Sequence, residues 1–367
     1  MATSQHEIRM REDACPGVLR LAPAIDGRLA RIRLVGGFLS APGIAALHDA
    51  AIALGDGRVE LTSRGNVQLR GLAADVGVEL GARLHAAGLW PSQSHERVRN
   101  IVASPLAGLD RPSDLTALVR TLDESLCATP RLAELSGRFL FAVDDGRGDV
   151  AGLKPDVLLQ NGSVNGLRVS DPVAAAIAFA NAFLDEREEQ NSAAWRIADL
   201  VEGAAHVRSR VGGTPVEQAA ANVEAPPAAG RFTRFDGQAA LVVAVPLGRL
   251  DTDQLRWLAD MIGTAPARVT PWRSIVLPNV DAVAVDTAAQ LGFGITPDTP
   301  WSNVSACTGK PGCAKAFADV QADARAELGR WPGKAVHWSG CDRRCGRSTR
   351  TEVDVIATES GYVVEGI

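Results

Sequence analysis

Two stretches about 210 residues apart follow the same order of elements, and no other feature of the chain restricts its fold as strongly. The first opens at Asp26-Gly27 and continues through an alternating strand, Leu29 to Leu34. After Gly37, Ser40 caps a helix that carries Ile44, Leu47 and Ala51 on one face, with Pro42 in its first turn. The second opens at Asp236-Gly237 with a strand from Leu241 to Val245. Asp251 then caps a helix carrying Leu255, Leu258 and Ile262, with Gln254 at the capping-box position. A further strand follows each helix, and the two align without a gap: VELTSRGNVQLR at 59–70 against ARVTPWRSIVLP at 267–278. Thr62 pairs with Thr270, Val67 with Ile275 and Leu69 with Leu277.

A strand, helix, strand unit of this size is half of a ferredoxin-like α+β domain, so the chain is built twice. Between the copies, Leu132 to Val143 and Asp156 to Val169 read as strands, with turns at Asp144-Asp145-Gly146 and Asn161-Gly162 and a helix starting at Asp171-Pro172. The C-terminus repeats the idea with Val353 to Ala357, a turn at Ser360-Gly361, and Tyr362 to Val364. Gly212 to Gly230, rich in Ala, Pro and Gly, reads as a linker.

With 46% hydrophobic and 22% charged residues spread over 367 positions, disorder and fibrous architectures are excluded. The net charge is -5 and no Lys/Arg block dominates a segment, which argues against nucleic acid as a partner. The N-terminal Met1 to Arg11 lacks the apolar core of a signal peptide, and the longest apolar stretch, Val173 to Leu184, is too short for a bilayer. These features predict a cytoplasmic protein with no membrane partner, in which six cysteines serve as thiols or metal ligands and not as disulfides.

Four of those cysteines form a constellation. Cys307 and Cys313 are spaced C-x5-C, Cys341 and Cys345 C-x3-C, with 27 residues between the pairs. Four thiolates from two loops can hold the four irons of a cubane, and glycines at 309, 312, 340 and 346 let the backbone turn around it. Helical patterning from Ala314 to Leu328 places the first pair at a helix start. A zinc site is the alternative, although its spacings are usually two to four residues in both pairs. Cys15 and Cys127 stand alone and gain no role from spacing. Among six histidines without metal-ligand spacing, His337 lies near the constellation and reads as structural. Gly146 to Ala151 formally matches G-x-G-x-x-A, yet it reads as a hairpin connection and no nicotinamide site is expected.

C-x5-C followed by C-x3-C on the second copy of a duplicated ferredoxin-like and α/β unit resembles the sulfite and nitrite reductase superfamily, which pairs a 4Fe-4S cluster with sirohaem. TSRGNVQLR at 62–70, RNIVASPLAG at 99–108 and LSGRFLFAVDDG at 135–146 resemble three of its motifs. In the family these segments carry basic residues that grip the acidic tetrapyrrole, which implies that role for Arg64, Arg99 and Arg138. Where the reductases place a proton-donating lysine, this chain has Leu140. That departure, with ACPG at 14–17 and FAVDDG at 141–146, is similar to precorrin-3B synthase, the ring-oxidising branch. Arg343 and Arg344 in CDRRC stand where the family usually has small or amide residues.

The resemblance implies an α+β fold, internally duplicated, with two ferredoxin-like halves and two nitrite/sulfite reductase-type α/β domains around a central cleft. The expected boundaries are 1–105 for the first half, 106–211 for an α/β domain without a cluster, 212–231 for the linker, 232–298 for the second half and 299–367 for the cluster-carrying α/β domain. It implies a monooxygenase that uses dioxygen to hydroxylate precorrin-3A and form a lactone in cobalamin synthesis, with Cys307, Cys313, Cys341 and Cys345 holding a 4Fe-4S cluster. Electrons would come from an external reductase or ferredoxin, ultimately from NAD(P)H, and a mononuclear non-haem iron is a further candidate cofactor. The alternatives are a sirohaem-dependent sulfite or nitrite reductase and a non-catalytic iron-sulfur or zinc sensor.

Overall fold

A computed structural model describes residues 13–216, 223–348 and 350–366. The N-terminal Met1 to Arg11 and positions 217–222 of the expected linker lie outside the described residues. The chain divides into two compact units, a mixed-sheet unit of residues 13–17, 33–37, 90–216 and 223–226, and a duplicated unit of residues 18–32, 38–89 and 227–366.

The first ferredoxin-like half contributes β1 (Ala22–Ala24), β2 (Gly27–Ile32), β3 (Phe38–Leu39), α1 (Ala41–Leu54), β4 (Val59–Leu61), β5 (Val67–Leu72) and α2 (Gly77–Ala86). Ser40 caps α1 as its sequence predicts, its hydroxyl accepting from the Gly43 N–H at 3.3 Å, and Pro42 sits in the first turn, where no backbone donor is needed. Ile44, Leu47, Ala50 and Ala51 form the buried face.

The mixed-sheet unit follows: β6 (Ile101–Ala103), α3 (Thr116–Cys127), β7 (Phe141–Asp144), β8 (Val157–Gln160), β9 (Ser163–Val164), β10 (Leu167–Arg168), α4 (Pro172–Glu189), α5 (Gly203–Ser209) and β11 (Thr214–Pro215). Strands β6, β7 and β8 are parallel, and β9, β10 and β11 add antiparallel strands at one edge. Phe139, Phe141, Phe179 and Phe183 are fully buried, and Phe139 packs its ring 5.2 Å from Phe141 and 5.1 Å from Phe183. Asn161 and Gly162 both have positive φ, the primed geometry that closes a two-residue hairpin between β8 and β9.

Four sequence expectations are corrected here. Leu132 to Leu140 is not strand: Pro130–Glu134 is a 3-10 helix, a Ser136-Gly137 turn follows, and the strand begins only at Phe141. The Gly146 to Ala151 stretch is not a hairpin connection, because β7 and β8 run parallel and the chain must cross over between them. Thr214–Pro215 in the expected linker is a sheet strand, paired with β10. Residues 90–105, assigned by sequence to the first half, belong to the mixed-sheet unit through β6.

The second half consists of β12 (Gly230–Thr233), β13 (Ala239–Ala244), β14 (Arg249–Leu250), α6 (Thr252–Met261), β15 (Ala267–Val269), β16 (Ser274–Leu277) and α7 (Ala282–Gln290). The predicted capping box is complete: the Gln254 N–H donates to Asp251 Oδ1 at 2.9 Å, and Asp251 N–H to Gln254 Oε1 at 3.1 Å. The halves exchange their short strands. The first sheet runs β1-β2-β5-β4-β14 and the second β12-β13-β16-β15-β3, so each half completes the other's edge. Arg249 and Leu250 pair with Glu60 and Val59, while Leu39 and Phe38 pair with Ala267 and Arg268. Helices α1 and α6 pack against each other beneath this exchange. The reciprocity imposes a pseudo-twofold relation, as the duplication requires.

The last segment forms β17 (Val304–Ala306), α8 (Val320–Ala326), β18 (Val336–Ser339), β19 (Val353–Thr358) and β20 (Gly361–Glu365). Three parallel strands are followed by an antiparallel one, the order already seen in β6 to β9. Its core gathers Val320, Ala324, Val336, Trp338, Val353, Val355 and Ala357, and Trp338 packs edge-on to Trp331 and Tyr362. The helix predicted over 314–328 is shorter, seven residues from Val320, because the chain before it is spent on turns that wrap the cysteine loop. Cys313 therefore does not lie at a helix start.

Candidate metal centre

Both cysteine pairs grow from the C-terminal ends of neighbouring parallel strands. Cys307 follows β17 and donates its N–H to the Trp338 carbonyl at 2.9 Å, and Cys341 follows β18 by two residues. Gly340 sits between the two loops, where a Cβ would lie 2.7 Å from that of Ala316, so no larger residue fits. Its N–H points at Cys307 Sγ, 3.1 Å away, and its carbonyl accepts from the Phe317 N–H at 2.8 Å. Gly309 has φ of 65° and its backbone meets Val320, which closes the first loop over α8.

All four cysteines line one cavity of about 700 Å³. Cys341 is buried, Cys307 and Cys313 are half-buried, and Cys345 is exposed. Among the described residues no group of three His, Cys, Asp or Glu side chains is already gathered around a single metal-ion position. Burial pushes the Cys307 thiol up from its ordinary range, the N–H groups of Gly340 and Gly309 pull it down, and Cys345 and Cys313 push it up again.

The opposite wall comes from the first half: Pro23, Ala24 and Ile25 of the β1–β2 hairpin, and Arg70. Arg70 makes a forked pair with Asp26, both contacts at 2.9 Å, and its Nη2 also donates to the Gly312 carbonyl at 3.1 Å. It thus fastens the first cysteine loop to β5. Sequence reading passed over Arg70 in favour of Arg64, although both lie in TSRGNVQLR and Asp26 opens the repeat.

The two arginines of CDRRC divide in role. Arg343 lines the cavity, whereas Arg344 turns away to Asp354 at 3.4 Å and Glu365 at 2.7 Å. Arg347 joins it on Asp354 at 2.7 Å, so a buried carboxylate on β19 anchors the second loop. His337 is fully buried beneath the same loop, 3.2 Å from the Cys345 carbonyl through Nε2 and 2.9 Å from Ser305 Oγ through Nδ1. Burial first, then the nearby Arg273 charge, lowers its pKa to about 4. The ring is therefore neutral, with Nε2–H donating to the carbonyl and Nδ1 accepting from the serine. This agrees with the structural role expected for it.

The matched turns of the two copies are equivalent. Thr62 N–H donates to the Asn66 carbonyl at 2.8 Å and Thr270 N–H to the Ser274 carbonyl at 2.9 Å. The left-handed residue in the first turn is Gly65, φ 66°; in the second it is Arg273, φ 58°, a conformation that costs a non-glycine residue about 1–2 kcal/mol. The turns abut, since a Cβ on Gly65 would lie 3.2 Å from the Val269 carbonyl. Arg64 is half-buried on this turn, in the same unit as the cysteines.

Arg99 and Arg138 lie in the mixed-sheet unit. Arg138 is exposed and stacks over Trp195 at 4.6 Å. Arg99 is buried, and its guanidinium forms a forked pair with Asp123, both contacts at 2.7 Å. A ligand carboxylate would have to displace Asp123, so the expected grip does not transfer to Arg99 in this arrangement. Leu140 is 2% exposed and continuous with the phenylalanine core. Its side chain is packing, not a surface offered to a macrocycle. The G-x-G-x-x-A amides are also occupied: Asp144 accepts from the N–H groups of Gly146, Gly148 and Ala151, which fills the place a phosphate would take.

The nitrite/sulfite reductase ferredoxin-like half domain matches the chain twice, at residues 24–87 and 235–291. A ferredoxin–nitrite reductase of Synechococcus elongatus is 28% identical over 94% of this chain and 80% of its own length. A precorrin-3B synthase of Sinorhizobium is 25% identical over 97% of this chain and 83% of its own. The structure of Mycobacterium tuberculosis NirA protein superposes with a TM-score of 0.72 at 20% identity, covering 92% of this chain and 73% of that one, and shares the fold. No helix among the described residues is long and apolar enough to cross a membrane. The two half-domain matches fall in the two exchanged sheets, and along nearly its whole length the chain is similar to both a nitrite reductase and a precorrin-3B synthase.

Proposed function

We propose that this protein is an iron-sulfur oxidoreductase of the precorrin-3B synthase type. The observation that carries the reading is the placement of Cys307, Cys313, Cys341 and Cys345 around one cavity. Four thiols lining one cavity of this size suit a group of several irons, one thiolate to each, and the Gly340 N–H supplies the sulfur-directed hydrogen bond that such groups favour. In this role the four cysteines hold a 4Fe-4S cluster, which supplies single-electron storage and transfer. Arg70 and His337 hold the two loops in place, and Arg64, in the same unit as the cysteines, binds a carboxylate of the tetrapyrrole by a charge-assisted hydrogen bond.

The reaction adds one oxygen atom of dioxygen to precorrin-3A; the other leaves as water, taking two electrons and two protons from an external donor. Lactone closure by an acetate side chain changes no oxidation level. The branch assignment is supported by the 25% identity to the Sinorhizobium precorrin-3B synthase over 97% of this chain. The second reading, a sirohaem-dependent nitrite or sulfite reductase, is favoured by the 28% identity to the Synechococcus enzyme.

Anaerobic purification with iron, sulfide and absorption measurements tests the first point. The expected result is four irons and four sulfides per chain, lost when any of the four cysteines becomes Ala; stoichiometric zinc without sulfide overturns it. Oxygen-dependent conversion of precorrin-3A, with negligible nitrite or sulfite reduction even when sirohaem is supplied, tests the second. Robust six-electron reduction of either anion reverses the choice.

A further inference from the structure

The second copy departs from the first at Arg273, which occupies the left-handed position that Gly65 holds in the other turn. An arginine there is strained, and its side chain shows what the position is used for. The stem runs across Gly248, where a Cβ would lie 2.6 Å from Arg273 Cδ, so the chain leaves room for it. Its Nη2 reaches the Gly346 carbonyl at 3.3 Å, next to Cys345, and a Cβ on Gly346 would be 3.4 Å from the same nitrogen.

Neighbouring arginines have carboxylates: Arg70 has Asp26, Arg249 has Glu60, Arg344 has Glu365 and Arg347 has Asp354. Among the described residues, none lies within ion-pair distance of Arg273. A half-buried cation whose hydrogen-bond partner is a carbonyl, with the Glu60 charge reaching it only from beyond ion-pair distance, is unfavourable unless an anion completes its surroundings.

We propose that Arg273 is the fixed counter-charge of the iron-sulfur group held by the four cysteines, acting through the Cys345-Gly346 backbone; this rests on the cluster reading given above. Four thiolates on a cubane carry net negative charge, and reduction adds one more. A cation fixed beside one ligand loop therefore stabilises the bound group and favours its reduced state. His337 shares the task by holding the Cys345 carbonyl from the other side, but it is neutral and contributes no charge.

The test uses the full chain as wild type, Arg273→Met and Arg273→Lys, reconstituted anaerobically with ferrous iron and sulfide. Arg273→Met keeps a long stem and the backbone strain while removing the charge. The expected result is loss of the cluster to a chelator about tenfold or more faster than in the wild type, the usual scale for a residue supporting a metal ligand. The midpoint potential, from a dye-mediated titration followed by electron paramagnetic resonance, should shift to more negative values. Arg273→Lys should lie close to the wild type in both. Without the cluster, Arg273→Met should unfold at a urea concentration equal to or above the wild type, because it removes an unpaired charge. A wild type that assembles no cluster overturns the cysteine reading and this one with it. A wild type with a cluster whose lifetime and potential are unchanged in Arg273→Met overturns this inference alone, as does a cluster-free Arg273→Met that unfolds more readily than the wild type.

Discussion

Replacing Asp149 with Asn should stabilise the protein at neutral pH and remove a definite part of its pH dependence. Asp149 lies in the crossover after β7, 4% exposed, where Oδ1 accepts from Ser104 Oγ at 2.7 Å and from the Val150 N–H at 2.8 Å, while Oδ2 has no hydrogen-bond partner. Burial is the main cause, reinforced by Asp144 and opposed by the Ser104 hydrogen bond, of a pKa raised from 3.8 to about 6. The fold thus prefers the protonated acid. That preference contributes fully below the unfolded value near 3.8 and is lost as pH rises through about 6. A shift of roughly two units corresponds to about 3 kcal/mol once the group is ionised, above about pH 7. Asn keeps the Oδ1 acceptor and puts a neutral amide where Oδ2 stands. Urea unfolding of both proteins from pH 4 to 8, followed by circular dichroism, should show the stability difference growing in favour of Asp149→Asn by about 3 kcal/mol up to pH 7 and then levelling. Carboxylates that do not interact with Asp149 cancel in that difference, which leaves Asp149 and its coupling to Asp144. A flat difference across the range would refute the assignment of an uncompensated buried carboxylate.

Two further outcomes follow from the packing. Gly340→Ala forces a methyl group to 2.7 Å from Ala316 Cβ, and should cost about 1–3 kcal/mol in thermal unfolding while loosening iron binding, because the displaced N–H is the one aimed at Cys307 Sγ; unchanged stability and iron content would count against the loop packing. Arg99→Ala leaves Asp123 without its forked partner and should destabilise the protein by about 3–5 kcal/mol with no specific loss of tetrapyrrole affinity. A stable variant that fails to bind the tetrapyrrole would return Arg99 to the carboxylate-gripping role.

Features set within a few residues were legible before any coordinates. Ser40 with Pro42, and Asp251 with Gln254, begin helices because their bonds close inside one turn. The cysteine spacing was legible for the same reason, since residues six and four apart in glycine-rich loops are confined to one neighbourhood whatever surrounds them. The duplication was visible because two copies of one pattern must bury the same faces. The errors occurred where pattern and packing part company. Apolar residues at 132–140 fill the core from a 3-10 turn, and those at 314–319 are consumed in wrapping the cysteine loop, so neither run reports the period of its backbone.

Only the tertiary structure decided the exchange of β3 and β14, because two-residue strands have no period to read and pair across more than 180 residues with an edge that each half lacks. It also sorted the arginines. Arg70, Arg99, Arg273 and Arg344 are the same residue in sequence, and what separates a loop anchor from a buried pair or a cation outside ion-pair distance of any described carboxylate is the partner that folding does or does not bring within reach. Local sequence determines the helix caps and the cysteine loops, since their interactions are closed over a few bonds; the partners of a charge come from distant parts of the chain and exist only once the core has placed them.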